Sequence, residues 1–112
     1  MGKTKHSSIG ERNSRKKDIY IQKARECSSF LSQKYHIKKV YLIGSLVNGI
    51  FHDRSDIDLV VEGLPAGLYI KALTELYDML PPGVELNLIP YEDAFDSLKE
   101  RTVREGQLIY GY

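Results

Sequence analysis

The segment GSLVNGIFHDRSDIDLVVEG, from Gly44 to Gly63, decides the fold, because it places two aspartates in what otherwise reads as a buried strand. The apolar run VYLI leads into a Gly-Ser pair, a charged loop follows, and Asp56 and Asp58 flank one isoleucine before the apolar LVV. An unpaired carboxylate in a low-dielectric site is costly, so two carboxylates on one face need a partner. The candidates for that partner are an arginine, a loop and a metal ion. Features elsewhere in the chain are needed to distinguish them.

The elements around this segment predict an α/β domain whose sheet has helices packed against it. Apolar residues recur at helical spacing from Asp18, a suitable N-cap, to KYHIKK, while VYLIG and DIDLVVEG are typical of buried strands. SLVNGIF predicts a short helix or turn broken at Gly49. The expected order is helix, strand, short helix, strand, helix, strand, helix, with a last short strand or tail at QLIYGY.

Three later segments complete this order. VELNLI alternates between apolar and polar residues and predicts a strand with Glu85 and Asn87 on its polar face. YEDAFDSLKERTVREG predicts one amphipathic helix, or two short ones, closed by Gly106. LPAGLYIKALTELYDML predicts a helix that PPG stops, with an apolar stripe formed by Leu68, Ile70, Leu73, Leu76, Tyr77 and Leu80.

The length of 112 residues allows one domain with a single core. An apolar fraction of 42% and a charged fraction of 28% argue against disorder. No run approaches the roughly 20 apolar residues of a membrane span, and the charged N-terminus lacks the apolar core of a secretory signal. The single cysteine, Cys27, cannot form an internal disulfide, so we expect it to be a small buried side chain in a cytoplasmic protein.

The overall charge of +1 is the sum of a basic first part of the chain and an acidic second part. Residues 1–40 carry eleven Lys or Arg against three acids, about +8, and residues 41–112 carry five against twelve, about −7. We expect residues 1–17 to form a flexible basic arm and residues 18–112 to form the folded domain. Such an arm can bind nucleic acid or an acidic protein, although a solvated tail is the more frequent case. A phosphate bound in the acidic half needs a cation to mediate it.

Three features of the chain point to one site. Gly44 and Ser45 end a strand and open a helix, where free backbone N–H groups and the helix dipole can hold a phosphate. Asp56 and Asp58 lie about 6.6 Å apart on one face of a strand, at roughly 3.3 Å per residue. Glu85, on another alternating strand, can point to the same face. The plainer alternative is a strand start with solvated carboxylates that pair with an arginine in the preceding loop.

Carboxylate oxygens suit Mg²⁺, which fills its other positions with water and substrate phosphates. Two such ions about 3.5–4 Å apart activate an attacking hydroxyl and stabilise departing pyrophosphate. The three features together therefore predict a site for nucleotidyl transfer.

The same residues carry a family resemblance. The chain reads G-S-x10-D-x-D, with GSLVNG and RSDIDLVV in the expected places, and this pattern resembles the minimal nucleotidyltransferase (MNT) family of the polymerase-beta-like superfamily. VELNLI stands where that family has its third carboxylate strand, and VREGQLIY resembles its usual ending. The resemblance covers residues from about 20 to 112 and implies an α+β fold, with a small mixed sheet and helices packed against it.

The resemblance also implies roles for the carboxylates. Asp56 and Asp58 would bind both metal ions, and Glu85 would be the third carboxylate, as a metal ligand or as a general base toward the acceptor hydroxyl. Members of the family commonly have Asp at that third position. Asn87, on the same face, is a candidate nucleotide contact.

The phosphate loop implied by the resemblance departs from the family at one position. Gly44 and Ser45 would hold the β- and γ-phosphates of ATP. Many relatives place a basic residue just before the glycine at position 49, where this chain has Asn48. We expect either that one phosphate contact is missing or that Arg54 or Lys38 supplies it.

The function implied is a Mg²⁺-dependent transfer of AMP from ATP to a hydroxyl, most simply a tyrosine, of a partner protein. Small members of the family resemble antitoxins that pair with a helical HEPN ribonuclease toxin. Two alternatives stay open: a catalytically weak binding module that neutralises its partner by occlusion, and a nucleic-acid-directed nucleotidyltransferase that uses the basic arm. No membrane partner is expected, and a homo-oligomer stays open.

Overall fold

A computed structural model of the chain describes residues 3–48 and 56–111, and among them the side chains of residues 15–47 and 56–111. Four α-helices are present in these ranges: α1 (Lys3–Tyr35), α2 (Ser45–Asn48), α3 (Tyr69–Asp78) and α4 (Asp96–Glu105). The strands are β1 (Lys39–Ile43), β2 (Ile57–Glu62), β3 (Leu86–Pro90) and β4 (Gln107–Tyr110). Short 3₁₀ turns at Ala66–Leu68 and Tyr91–Asp93 precede α3 and α4.

The four strands form one mixed sheet in the order β3-β2-β1-β4. β1 pairs antiparallel with both β2 and β4, and β2 pairs parallel with β3 through the crossover helix α3. Residues paired across neighbouring strands point to the same face of a sheet. Asp58 is paired with Ile43 on one side and with Asn87 on the other, so these three share a face. The predicted α+β fold with a small mixed sheet is confirmed.

The hydrophobic core lies on the opposite face of the sheet. Ile57, Leu59 and Val61 alternate with Asp58 along β2 and are fully buried. They belong to one apolar cluster with residues from β1, β3, α1 and α3, including Val40, Leu42, Leu86, Leu88, Ala24, Cys27, Leu31, Ala72 and Leu76. Burial of a large aliphatic side chain contributes about 1.5–3 kcal/mol, so this cluster fixes which face of β2 is turned inward.

Cys27 is a free thiol inside this core, as predicted. Burial raises the pKa of its thiol to about 11, and the neighbouring Glu26 carboxylate adds to the rise. A thiol with so high a pKa is not ionised at neutral pH and acts as a small apolar side chain. Within the described ranges, none of the helices combines the length and the hydrophobicity that a membrane span requires.

α1 begins well before the predicted start. The sequence analysis places the first helical cap at Asp18, and this is wrong, because the helix runs unbroken from Lys3 and Asp18 lies in its interior. Residues 3–17 contain no proline, and their Lys, Arg and Glu residues favour helix without apolar periodicity. The buried side chains of α1 among residues 15–35 run from Tyr20 to Leu31. The division into residues 1–17 and 18–112 stays a prediction.

The apolar stripe of α3 also differs from the prediction. Ala72 and Leu76 are fully buried, but Ile70 is 70% exposed and does not belong to the core. The α-helix starts at Tyr69 after a 3₁₀ turn, so the inward face follows Tyr69, Ala72 and Leu76 at helical spacing. The Tyr69 hydroxyl donates a hydrogen bond to the Leu88 carbonyl oxygen at 2.7 Å, which fixes α3 against β3.

A polar contact joins the end of α1 to α3. Glu75 accepts hydrogen bonds from the Lys34 ammonium group and from the Tyr35 hydroxyl. The Lys34 and Tyr35 hydrogen bonds lower the pKa of the Glu75 carboxyl below its usual 4.5. The same hydrogen bond to Glu75 raises the pKa of Tyr35 to about 12. Both shifts mean that the contact holds Glu75 charged and Tyr35 neutral.

The substitution Glu75→Gln should therefore lower the melting temperature at pH 7. A carboxyl whose pKa is lower in the folded state stabilises it above the unfolded pKa, and this contribution is lost as the pH falls through the folded pKa. The difference in melting temperature between the wild type and Glu75→Gln should accordingly shrink from pH 7 to pH 3. Thermal melts at both values measure it, with Glu26→Gln as a control, because Glu26 pairs only with Lys23 of the same helix among the described ion pairs. A difference that stays constant with pH would contradict the assigned linkage.

Candidate active site at the end of β1 and β2

The turn after β1 lies directly against one of the aspartates. Gly44 has a φ of +81°, which L side chains rarely adopt, and a Cβ built there would lie 2.4 Å from Oδ2 of Asp58. The positive φ favours glycine at this position, and a Cβ there would in addition displace the Asp58 carboxylate. Ser45 opens α2 immediately afterwards, and the Gly44 carbonyl oxygen accepts the Val47 N–H at 3.0 Å. The predicted phosphate loop and the predicted carboxylates therefore meet at one place.

Asp56, Asp58 and Asn87 form a polar cluster on the face opposite the core. Nδ2 of Asn87 donates hydrogen bonds to Oδ1 of Asp58 at 2.7 Å and to Oδ2 of Asp56 at 3.3 Å. Partial burial raises the pKa of the Asp58 carboxyl above its usual 3.8, the Asn87 hydrogen bond opposes the rise, and the Asp56 charge adds to it. One amide group thus bridges two carboxylates that repel each other.

Glu85 is placed differently from the expectation that it joins the aspartates. It directly precedes β3, and its carbonyl oxygen accepts the Ile57 N–H at 2.9 Å, which extends the ladder between β2 and β3. Its carboxylate is within 3.2 Å of the Tyr77 hydroxyl, whereas Asn87 is the residue in contact with both aspartates. The role of Glu85 as third carboxylate stays a prediction.

The basic residues proposed for the missing phosphate contact are only partly described. Arg54 lies outside the described residues, and so does the side chain of Asn48, whose backbone ends α2. Lys38 precedes β1, where its N–H donates to the Glu62 carbonyl oxygen, at the opposite end of that strand from Gly44. Five residues of extended strand span about 16 Å, so Lys38 does not lie beside the phosphate loop.

The residues present fit one divalent cation. Two carboxylates and an amide oxygen are hard ligands, and Mg²⁺ is commonly held by one or two carboxylates together with substrate phosphates. No group of three His, Cys, Asp or Glu side chains converges within residues 15–47 and 56–111. The protein ligands available among these residues are therefore Asp56, Asp58 and, after rotation of its amide, the Oδ1 of Asn87.

A residue that the sequence analysis did not single out lies next to this site. Arg101 of α4 lines a pocket of about 200 Å³ that also has Gly44 in its wall. Its only signal in the sequence is that it is one of five basic residues in the acidic half of the chain. The packing of α4 beside the end of β1 is what brings it close.

Comparison with known proteins gives one family and several structural neighbours. The model of the family described as polymerase beta, nucleotidyltransferase matches residues 25–112. No match is found among curated protein sequences.

Three solved structures share the fold. A chain from a crystal structure of a toxin-antitoxin with AMP-PNP is 22% identical, with a TM-score of 0.65 over 79% of this chain and 73% of that one. A chain from the toxin-antitoxin MntA-HepT is 19% identical, with a TM-score of 0.61 over 81% and 72%. A nucleotidyltransferase structure from Sulfolobus solfataricus is 17% identical, with a TM-score of 0.58 over 88% and 86%. At these identities the likeness concerns the fold.

The close approach of Gly44 to Asp58 predicts an unusually costly Gly44→Ala substitution. Gly83 has a similar φ of +88° but open space around its Cα, so Gly83→Ala tests backbone strain alone. We expect Gly83→Ala to cost about 1–2 kcal/mol of unfolding free energy and Gly44→Ala distinctly more. In an Asp58→Ala background the cost of Gly44→Ala should fall to that of Gly83→Ala. Urea denaturation measures all four variants, and equal costs at both glycines in the wild-type background would contradict the contact.

The cluster of Asp56, Asp58 and Asn87 predicts how Asn87→Asp changes stability. The variant should be less stable than the wild type without a divalent cation and should be stabilised more than the wild type by one. Three converging carboxylates repel, so the variant should lose about 1 kcal/mol of stability in EDTA. Saturating Mg²⁺ should stabilise it more than the wild type, with an affinity about tenfold higher because of the added ligand charge. Thermal melts across a Mg²⁺ titration measure both, and Asn87→Leu serves as a control without a ligand. An Asn87→Asp variant that responds to Mg²⁺ like the wild type would refute this arrangement.

Proposed function

The chain belongs to the polymerase beta nucleotidyltransferase family, and on that premise we propose that it transfers AMP from ATP to a hydroxyl of a partner protein. The observation that carries the proposal is the meeting of Gly44, Asp58 and Asp56 at one end of the sheet. The positive-φ turn at Gly44 brings the backbone against the Asp58 carboxylate, which shares its hydrogen-bond partner Asn87 with Asp56. This arrangement supports joint binding of a triphosphate and a divalent cation. The phosphates and the carboxylates repel each other, and a cation between them turns that repulsion into attraction.

In the proposed reaction the acceptor oxygen forms a bond to the α-phosphorus of ATP. The bond from that phosphorus to the bridging oxygen of the β-phosphate breaks, pyrophosphate leaves, and the hydroxyl proton passes to a carboxylate or to water. A divalent cation at the aspartates would neutralise the phosphates and the charge that develops on the leaving group. Asp56 and Asp58 hold the cation in this scheme, and the Gly44–Ser45 backbone positions the phosphates.

The surroundings of the site support a large acceptor. β3 is an edge strand of the sheet, and both Asn87 on it and Glu85 just before it are exposed. The described part of the chain therefore leaves the β3 side of the aspartates open to solvent. A hydroxyl on a protein surface, such as a tyrosine, can approach from that side without any rearrangement of the core.

We propose further that the acceptor is a HEPN-type toxin and that the chain is its antitoxin. Two of the structures that share the fold are chains of toxin-antitoxin crystals, one of them with AMP-PNP, and these support the choice of partner and of nucleotide. Mg²⁺, ATP and a cytoplasmic setting complete the proposal, with one ion at the two aspartates and the second of the two expected ions held mainly by the substrate phosphates. The alternative is a binding module that neutralises its partner by occlusion, and it is favoured by the amide of Asn87 at the place where both aspartates converge.

Both functions are tested by one experiment with a HEPN-type protein encoded beside this chain. With Mg²⁺ and ATP labelled at the α-phosphate, the wild type should label that protein, and intact-mass spectrometry should show the addition of one AMP. The double variant Asp56→Asn, Asp58→Asn should abolish labelling and toxin neutralisation together. The matched control Asp78→Asn, Asp93→Asn removes two exposed carboxylates that make no described hydrogen bond to Asp56, Asp58 or Asn87, and it should retain both labelling and neutralisation. Equal neutralisation by the Asp56→Asn, Asp58→Asn variant, without label, would establish the occlusion alternative instead.

A further inference from the structure

A pocket of about 200 Å³ opens between the end of β1, α2 and α4. Its wall includes Gly44, so it adjoins the carboxylate cluster through the same residue that contacts Asp58. One part of the wall is apolar and the other is polar, formed by Ile43, Val47 and Leu98 and by Arg101, Thr102 and Glu105. A small pocket of mixed character beside a reactive cluster is suited to one part of a larger ligand.

The strand order places this pocket on a definite side of the site. β3 with Asn87 lies on one side of β2, and β1 with α4 lies on the other. The acceptor side proposed above is the β3 side, which is open. The pocket therefore lies on the opposite side of the aspartates, next to the turn where the phosphates of a nucleotide would be held.

Arg101 provides a positive charge that the described residues do not neutralise. Arg104, three residues further along α4, donates to Glu100 and Glu105 at 3.2 and 3.1 Å. Lys99 lies over the Tyr91 ring. No ion pair or hydrogen bond within the described side chains engages Arg101. A guanidinium group presents several N–H donors in one plane, which matches the oxygens of a phosphate.

Two further residues are consistent with an anion in this pocket. Thr102 is 1% exposed, and its hydroxyl has no hydrogen-bond partner among the described residues. A buried hydroxyl without a partner is unfavourable, and a rotation of the Thr102 side chain toward the pocket would let a ligand oxygen supply one. Glu105 is the acidic wall residue, and its carboxylate is paired with Arg104, which offsets its repulsion of an anion.

We propose that this pocket binds a phosphate group of the nucleoside triphosphate, with Arg101 as the phosphate-binding cation and the Thr102 hydroxyl as a second contact. Arg101 then takes the place of the basic residue that is missing at Asn48. The inference rests on the proposed function in one respect, namely that a nucleotide binds at Gly44 and the aspartates. It adds a residue from α4, far from the phosphate loop in sequence, to the nucleotide site.

The test compares two basic residues of the same helix by calorimetric titration of the full chain at low salt with Mg²⁺. Arg101→Gln should weaken the binding of ATP and of inorganic tripolyphosphate by about tenfold, because a charge-assisted hydrogen bond is lost. Lys99→Gln removes one positive charge of the same helix from a residue that lies over Tyr91 and is not in the pocket wall, and it should change both affinities by less than about twofold. Arg101→Lys, which keeps the charge without the planar donors, should fall between the wild type and Arg101→Gln. Adenosine, which has no phosphate, should bind the wild type and Arg101→Gln equally.

The outcomes separate this inference from the proposed function. A wild type that binds ATP, with Arg101→Gln binding equally well, would overturn the pocket and leave the proposed function intact. Equal losses in Arg101→Gln and Lys99→Gln would also overturn it, because only the net charge of α4 would then matter. A wild type that binds neither ATP nor tripolyphosphate with Mg²⁺ would overturn the proposed function together with this pocket.

Thr102→Val gives a second test, in which the affinity should fall although the stability of the free chain does not. Valine keeps the shape and removes an unpartnered hydroxyl, so the melting temperature of the free chain should be unchanged or higher. The affinity for tripolyphosphate should nevertheless fall severalfold. Unchanged affinity would remove Thr102 from the proposed contact set, and a lower melting temperature would show that its hydroxyl already has a partner in the free protein.

Discussion

The alternation of side chains along β2 is the constraint on which the rest of the domain depends. Ile57, Leu59 and Val61 are turned into the core, so Asp58 is necessarily turned to the other face. A shift of one residue in the pairing of β2 would bury the carboxylate and expose three large aliphatic side chains. The free energy that holds the core together therefore also holds the Asp58 carboxylate on the opposite face of the sheet.

The two strands that pair with β2 supply the other groups around Asp58. β1 on one side ends in Gly44, whose backbone reaches Asp58 because no side chain stands between them. β3 on the other side contributes Asn87 through a parallel register that pairs it with Asp58. The two sides differ in chemistry, since the β1 side offers backbone N–H groups and a guanidinium and the β3 side offers an amide. The site therefore has two chemically distinct sides on either side of Asp58.

Much of this could be predicted from the sequence, and the failures have physical reasons. The order of elements and the shared face of Asp56 and Asp58 follow from local patterns of period two and 3.6. The start of α1 was missed because a polar helix of Lys, Arg and Glu has no apolar stripe to reveal it. Ile70 was misplaced because a 3₁₀ turn shifts the helical phase before α3.

Local sequence patterns could not predict that Asn87, and not Glu85, contacts the aspartates. Both lie on the same predicted face, and only the register with β2 and the Tyr77 hydroxyl determine which of them contacts the aspartates. Arg101 was beyond reach for the same reason, because its distance to Gly44 depends on how α4 packs. A sequence shows which residues are charged, whereas the packing of the fold determines which residues those charges contact.

The position of β4 has a consequence for how the chain is synthesised. β4 pairs with β1, and the contact between Val40 and Tyr110 spans about 70 residues of sequence. Until residues 107–110 have emerged from the ribosome, one edge of β1 has no partner, although β1 itself was made long before. An open edge of this kind can pair with the wrong strand, and closing so long a loop carries a large entropic cost. The sheet can therefore be completed only after residues 107–110 have left the ribosome, and one edge of β1 stays unpaired until then.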